Sequence, residues 1–182
     1  MRINIFENAP TLQRIYLYNH PNISNTYVKF QGIYLAGSLS FNNVAMLFSA
    51  SGTTAKTMTI SFGLYSLNGA TLSLANSASF STAPTTNEFN WITLGTSATQ
   101  DITPGNWYFG IIQSTSSNSR MSLGYMNTNF KGTSNTAQGG GLFFGIFGSN
   151  ALPSSVATTA ITLPTGANND ELSRHPYILI SS

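Results

Sequence analysis

The chain has 182 residues, which fits a single domain, and its composition is 41% apolar but only 7% charged, where an ordinary soluble domain has about 25% charged residues. The net charge of +2 comes from seven scattered Lys and Arg residues against five acids, and this pattern argues against nucleic-acid binding. With no cysteine, disulfides, thiolate nucleophiles and cysteine-based metal sites are excluded.

Residues 1–25 form the first segment and mix apolar residues with Asn and Pro, without a sustained period. They lack the charged, apolar and small-residue order of a signal peptide, and no run in the chain approaches the roughly 18 to 20 apolar residues of a membrane span. We therefore expect an extended N-terminal arm or an edge strand over 1–25, no membrane contact, and a β-domain over 26–182. Five apolar residues of the arm are candidate docking residues: Phe6, Leu12, Ile15, Tyr16 and Tyr18.

Two strands are predicted next, over residues 27–36 and 44–49, separated by the turn-forming pairs Gly37-Ser38 and Asn42-Asn43. The strongest local pattern runs over 57–74. Met58, Ile60, Phe62 and Leu64 alternate there with small polar residues, which predicts a strand with one inward and one outward row. Asn68-Gly69 then favours a type I′ turn, so 57–74 is predicted to be a β-hairpin.

The segment 75–87 is interpreted as a polar connection leading to a short strand over 89–94. Pro104-Gly105 predicts a turn before an alternating, largely apolar strand from Trp107 to Ile112 that is buried on both faces or nearly so. The strands on either side of this turn are expected to pair as a second hairpin.

The last predicted strands cover 121–126, 142–147 and 177–180, with a long connection over 149–171. No stretch has the pattern of a long helix. Six to eight short strands with turn signals about every 8 to 12 residues predict an all-β fold, an antiparallel β-sandwich of jelly-roll type.

Several strings resemble a module of tailed-bacteriophage virion proteins. These are MTISFGLYSLNGATLSL (58–74), NSASF (76–80), ITPGNWYFGI (102–111), ALPSSV (151–156) and RHPYILI (174–180). The resemblance implies a jelly-roll-like sandwich on a virion, typically a homotrimer, that decorates the capsid or sits on the tail apparatus.

Few residues suggest a catalytic or metal-binding site. Glu88 and Asp101 could face each other at one end of a hairpin, as the two carboxyls of a glycosidase do, but solvated loop acids are the favoured interpretation. Asp170-Glu171 with His175 lacks the spacing of a metal site, and His175-Pro176 is better interpreted as a strand entry. We therefore expect no catalytic, cofactor or metal residues.

Aromatic residues give more information about function than the acids and histidines do. Phe143, Phe144 and Phe147 follow a triple glycine and are interpreted as a core strand or, alternatively, as an intersubunit surface, since interface cores are rich in aromatic residues. The resulting hypothesis is a non-enzymatic virion protein, made in the host cytoplasm, that docks on the major capsid protein as a cement protein. The alternative is a tail-tip or head-fibre domain that binds a host glycan, and a glycan-degrading enzyme is the third possibility.

Overall fold

The computed structural model describes residues 2–4, 15–16, 26–35, 37–51, 58–82, 90–114, 120–123, 125–127, 144–162, 174–176 and 178–181. Within these ranges the chain forms β-strands and a single 3-10 turn over Thr158–Ala160. The strands are β1 (Arg2–Asn4), β2 (Ile15–Tyr16), β3 (Tyr27–Leu35), β4 (Leu39–Ser51), β5 (Met58–Asn68), β6 (Thr71–Thr82), β7 (Asn90–Ile102), β8 (Gly105–Ser114), β9 (Arg120–Leu123), β10 (Tyr125–Asn127), β11 (Phe144–Gly148), β12 (Ser155–Ala157), β13 (Arg174–Pro176) and β14 (Ile178–Ser181).

The strands form three sheets in which neighbours run antiparallel. Sheet I has the order β11-β3-β8-β5-β6-β12, sheet II has the order β1-β14-β4-β7 with β9 also pairing with β4, and sheet III has the order β13-β10-β2. The prediction of an all-β antiparallel fold is confirmed. The jelly-roll connectivity stays a prediction.

Sheets I and II share one hydrophobic core, so they pack face to face as the two layers of a sandwich. Sheet I contributes alternate residues of β3, β5 and β8, and sheet II contributes residues of β4 and β7. The core residues are at most 3% exposed and comprise Ile33, Phe41, Val44, Ile60, Phe62, Leu64, Ile102, Phe109 and Ile111.

A second hydrophobic cluster covers the outer face of sheet I. It forms because residues 149–161, which we call the crossing segment, run from β11 at one edge of sheet I to β12 at the other. The members of the cluster are Val28, Phe30, Tyr65, Leu72, Tyr108, Ile112, Val156 and Ile161. Sheet I is therefore buried on both faces along this part, as predicted for β8.

Two predicted connections are wrong. Residues 75–82, predicted as a polar loop, continue β6, because small residues, mostly Ser, occupy its exposed face while Phe80 packs against the core. The predicted connection over 149–171 contains β12, the 3-10 turn and a bridge between Ile146 and Thr162, while residues 163–173 lie outside the described ranges.

The second predicted hairpin is also wrong. The turn at Pro104-Gly105 connects the two sheets: β7 pairs with β4 in sheet II, whereas β8 lies between β3 and β5 in sheet I. β8 is thus a central strand of sheet I, with a neighbour on each side. The 57–74 hairpin is confirmed, with Gly69 at φ 59° in the turn.

The described parts of residues 1–25 are paired strands. Arg2–Asn4 is an edge strand beside β14, and Ile15–Tyr16 pairs with β10. At these five positions the chain adopts the second of the two expected forms, an edge strand, and the rest of 1–25 lies outside the described residues.

Candidate functional site

Asp101 lies near the end of β7, where it is exposed and accepts a hydrogen bond from the Ser40 hydroxyl. Glu88 lies outside the described residues, two positions before Asn90. Asn90 pairs with Phe48, eight β4 residues from Ser40, so the two ends of β7 are about 26 Å apart at roughly 3.3 Å per residue. The carboxyls of a glycosidase lie about 5 to 9.5 Å apart. The predicted hairpin of β7 with β8 is not formed, and the Glu88–Asp101 proximity itself stays a prediction because Glu88 is not among the described residues.

No metal-binding group is assembled within the described ranges, where no three His, Cys, Asp or Glu side chains come together. Asp170 and Glu171 lie outside these ranges. The backbone of His175 pairs with Met126, and Pro176 ends β13 at the edge of sheet III, in agreement with the predicted strand entry. The described residues also contain no helix that is long and apolar enough to cross a membrane.

A narrow crevice lies where the sheets close on each other between β6 and β7. Its volume is about 190 Å³ including open solvent, and its floor is Phe41, Phe62 and Leu64, each at most 2% exposed. Asn76, Ser77, Thr96 and Gln100 are among the residues of its rim. Because the floor belongs to the core and cannot contact a ligand, the crevice is a seam between layers and not a binding pocket.

The predicted interface residues are only partly placed by the structure. Phe147 is half-buried and packs against the second hydrophobic cluster. This position agrees with the interpretation of the segment as a core strand. For Ile15, Tyr16 and Phe144 the backbone lies in β2 and β11, and their side chains are not described. Phe6, Leu12, Tyr18 and Phe143 lie outside the described residues. The role of these eight residues in an interface stays a prediction.

Besides the pairing of β12 with β6, hydrogen bonds from Tyr65, Leu74 and Thr158 hold the crossing segment to sheet I. The Tyr65 hydroxyl donates to the Pro153 carbonyl at 2.9 Å, and the Leu74 N–H donates to the Ser154 carbonyl at 2.9 Å. The Thr158 N–H and hydroxyl both donate to the Ala70 carbonyl, at 2.8 and 3.1 Å. This part of the outer face is consequently closed to other partners.

Tyr65 reaches the crossing segment because two glycines leave room for its ring. Gly63 and Gly110 lie opposite each other on β5 and β8, and a Cβ built on either would be within 2.8 Å of Tyr65 Cε2. Contacts this short do not occur between real side chains. The paired glycines are therefore required for the ring position, a role that the sequence alone did not reveal.

Burial raises the pKa values of Tyr65 and Tyr108 above the usual value near 10. The unfolded chain releases these protons near pH 10, whereas the folded chain keeps them to higher pH. The two tyrosines therefore make their full contribution to the free energy of unfolding below pH 10. This contribution falls as pH rises beyond 10, by up to about 1.4 kcal/mol per pH unit for each tyrosine.

For Tyr65→Phe we expect a shallower loss of unfolding free energy above pH 10 than in the wild type. We also expect a loss of about 1 to 2 kcal/mol at neutral pH, because the Pro153 carbonyl loses its donor. Urea denaturation from about pH 8 to about pH 11 measures both effects. Identical pH slopes in the two proteins would contradict this account of Tyr65.

Beyond the crossing segment, the outer face of sheet I is a neutral hydroxyl surface. The hydroxyls of Thr59 and Ser81 lie 2.7 Å apart, and those of Ser61 and Ser79 are also 2.7 Å apart. The small polar row of β5 was predicted from the alternation, but its continuation onto β6 was missed with the strand itself. Such a surface can form neutral hydrogen bonds, and residues 58–82 contain no Asp, Glu, Lys, Arg or His.

Comparison with known proteins finds no match to this chain among protein-family models, curated proteins or solved structures.

Proposed function

We propose that this chain is a non-enzymatic structural protein of a tailed-phage virion, specifically a cement protein that docks on the capsid. Four of the five strings that carry the resemblance lie together on sheet I and the segment that crosses it, and the fifth, RHPYILI, lies on β13 and β14 of the other two sheets. The four strings form β5, β6 and β8, three adjacent strands of sheet I, together with part of the crossing segment.

The observation that carries the proposal is the contact between two of these strings. Tyr65, in the hairpin string, donates its hydroxyl proton to the carbonyl of Pro153 in the string ALPSSV, 88 residues later. These two strings thus belong to one packed unit, which supports treating them as parts of a module and not as separate chance matches. The virion role comes from the resemblance and is part of the proposal.

The surface chemistry supports binding over catalysis. The described outer surface of β5 and β6 carries hydroxyls, and the one acid whose contact is described, Asp101, is exposed and bonded to a serine. A rigid, weakly charged sandwich of this kind can bury neutral surface against another protein without desolvating charges.

As a cement protein, the chain would bridge neighbouring subunits of the major capsid protein. Each contact would contribute buried interface area, and several contacts from one homotrimer would add by avidity to oppose the outward pressure of packaged DNA. The eight candidate docking residues are proposed for this contact. No nucleic acid or cofactor takes part.

Cryo-electron microscopy of the phage particle that carries this chain tests the proposal. We expect regular copies of a density that fits sheets I and II on the outside of the capsid shell. Density confined to the tail would reject the cement role and support the glycan-binding alternative. Absence of the chain from purified particles would reject both virion roles.

A further inference from the structure

Among the described strands, the second half of β6 has a neighbour on one side only and forms an open sheet edge. β12 pairs with β6 only at residues 71–73, and Leu74 bonds to the crossing segment. From Asn76 to Thr82, β6 pairs with β5 on one side and with no described strand on the other. An open edge presents unpaired N–H and C=O groups, and these can pair with another strand.

The side-chain contacts identify which backbone groups point to this edge. In an antiparallel pair, side chains approach most closely at the positions whose backbone groups do not bond to each other. The hydroxyl pairs Thr59–Ser81 and Ser61–Ser79, both at 2.7 Å, mark two such positions. Bonded and non-bonded pairs alternate along an antiparallel hairpin. Starting from the Asn68–Thr71 pair at the turn, and allowing for one extra residue at the Leu64/Tyr65 register shift, this alternation gives the same assignment. The N–H and C=O groups of Ser79 and Ser81 therefore point away from β5 towards the open edge.

The open edge of β6 begins at a defined residue. Before it lie the register shift and Asn76, whose side-chain Oδ1 accepts the Ser77 N–H at 2.6 Å. β7 of the other sheet also approaches β6 around residues 76–78, where both line the crevice. The edge that is open for pairing is therefore residues 78–82, with Ser79 and Ser81 as its donors and acceptors.

Most other edges of the described sheets are blocked or short, and the exception is β7, a long edge strand of sheet II that pairs with β4 and carries the acid Asp101. Ile146 in β11 exchanges two backbone hydrogen bonds with Thr162, at 2.8 and 2.9 Å, and β12 and β1 are three residues each. Proteins commonly protect open edges with charged residues or proline. Residues 58–82 contain neither, so nothing in the sequence of this hairpin opposes strand pairing.

We propose that residues 78–82 pair with the same residues of a second copy of the chain, antiparallel about a two-fold axis at Phe80. In this register Ser79 lies opposite Ser81 of the second copy, and four backbone hydrogen bonds form between the two edges. The two Phe80 rings lie opposite each other on the inner face, and aromatic cross-strand pairs stabilise sheets.

The absence of charge on this edge favours a second copy of the chain as its pairing partner. A charged edge would repel its own copy, whereas this edge is neutral and places a hydroxyl opposite a hydroxyl. The hydroxyl row of Thr59, Ser61, Ser79 and Ser81 would also continue across the two-fold axis. Because only five residues pair, the buried area is small, and we expect a dissociation constant in the micromolar range or weaker. This inference does not depend on the virion role.

Sedimentation velocity of the full chain over a concentration series tests the inference, with Ser79→Pro as the main variant. Proline removes one edge N–H per copy, and proline is tolerated at a sheet edge. We expect Ser79→Pro to weaken self-association about a hundredfold while circular dichroism stays unchanged. Ser81→Lys should weaken it similarly by placing positive charge at the edge, whereas Thr159→Lys, which adds the same charge at an exposed site in the 3-10 turn, should not.

Cysteine pairs give a second measurement that does not depend on folding stability, since the chain contains no cysteine of its own. Ser79→Cys and Ser81→Cys proteins with different tags should form a mixed disulfide when combined under mild oxidation, and neither should cross-link efficiently alone. Two-fold pairing of chains, or of the proposed trimers, that resists both edge variants would overturn the inference, and so would the absence of such pairing at every attainable concentration.

Discussion

Gly110→Ala is expected to lower the free energy of unfolding by about 3 kcal/mol. An added Cβ would lie 2.8 Å from Tyr65 Cε2 and 3.2 Å from both Phe30 Cε1 and Val28 Cγ1. Tyr65 and Phe30 pack edge to face with centroids 5.1 Å apart, and both are fully buried. The ring cannot move away without breaking this contact or its hydrogen bond to the crossing segment.

Gly95→Ala is the matched control for this substitution. Gly95 is an exposed strand glycine on β7, and the nearest atom to its added Cβ is Asn43 Oδ1 at 4.0 Å. Its unfolding free energy should stay within about 0.5 kcal/mol of the wild type. Urea denaturation of both variants measures the difference. If the two substitutions cost the same, loss of glycine flexibility and not the Tyr65 contact would explain the effect.

A double-mutant cycle separates the ring contact from other effects. In a Tyr65→Ala background the edge of the ring is absent, so Gly110→Ala should cost clearly less than in the wild type. An unchanged cost would place the strain at Phe30 and Val28 instead.

The parts of the fold that could be predicted from sequence are those whose pattern is local. The hairpin over 57–74 combines strict alternation with Asn68-Gly69, and both partners of the turn lie within a few residues of each other. The burial of β8 on both faces could also be predicted, because Trp107 to Ile112 is nearly continuous in large apolar residues. Period and turn chemistry are sufficient at such positions.

The errors arise where a distant partner decides the structure. Residues 75–82 are mostly Ser, Ala and Asn, and they form a strand because β5 supplies the hydrogen-bonding partner. The partner of β7 is β4, which lies some 50 residues earlier, and no local pattern indicates which sheet β7 joins. The expected Glu88–Asp101 proximity assumed that β7 and β8 pair, and that premise is wrong for the same reason.

Buried polar residues on the inner face of sheet I could not be predicted either. Val28-Lys29-Phe30-Gln31 alternates in the way that predicts one exposed polar row. Both rows are nevertheless covered, one by sheet II and the other by the crossing segment. Lys29 is 3% exposed, and Gln31 and Gln113 are 1% exposed. An alternating pattern cannot show that a second layer covers its polar side.

Lys29→Ala is expected to be the most destabilising single truncation of a charged residue among those described, with a loss of about 3 to 5 kcal/mol. A buried ammonium group is retained only with hydrogen-bonding or charged partners, and its removal leaves these partners desolvated without a counterpart. Truncation also removes the buried side-chain stem, which lies between Ile111 of β8 and Ile146 of β11. Both losses act in the same direction.

Lys29→Met separates the two causes, because Met fills most of the volume of the lysine stem but carries no charge. If lost volume dominates, Lys29→Met should recover most of the stability that Lys29→Ala loses; if the uncompensated partners dominate, the two variants should be similarly unstable. A dependence of the Lys29→Met loss on acidic pH would further identify a carboxylate partner, since its protonation below about pH 4 removes the uncompensated charge. A loss below about 1 kcal/mol in Lys29→Ala would contradict burial of the ammonium group between the sheets.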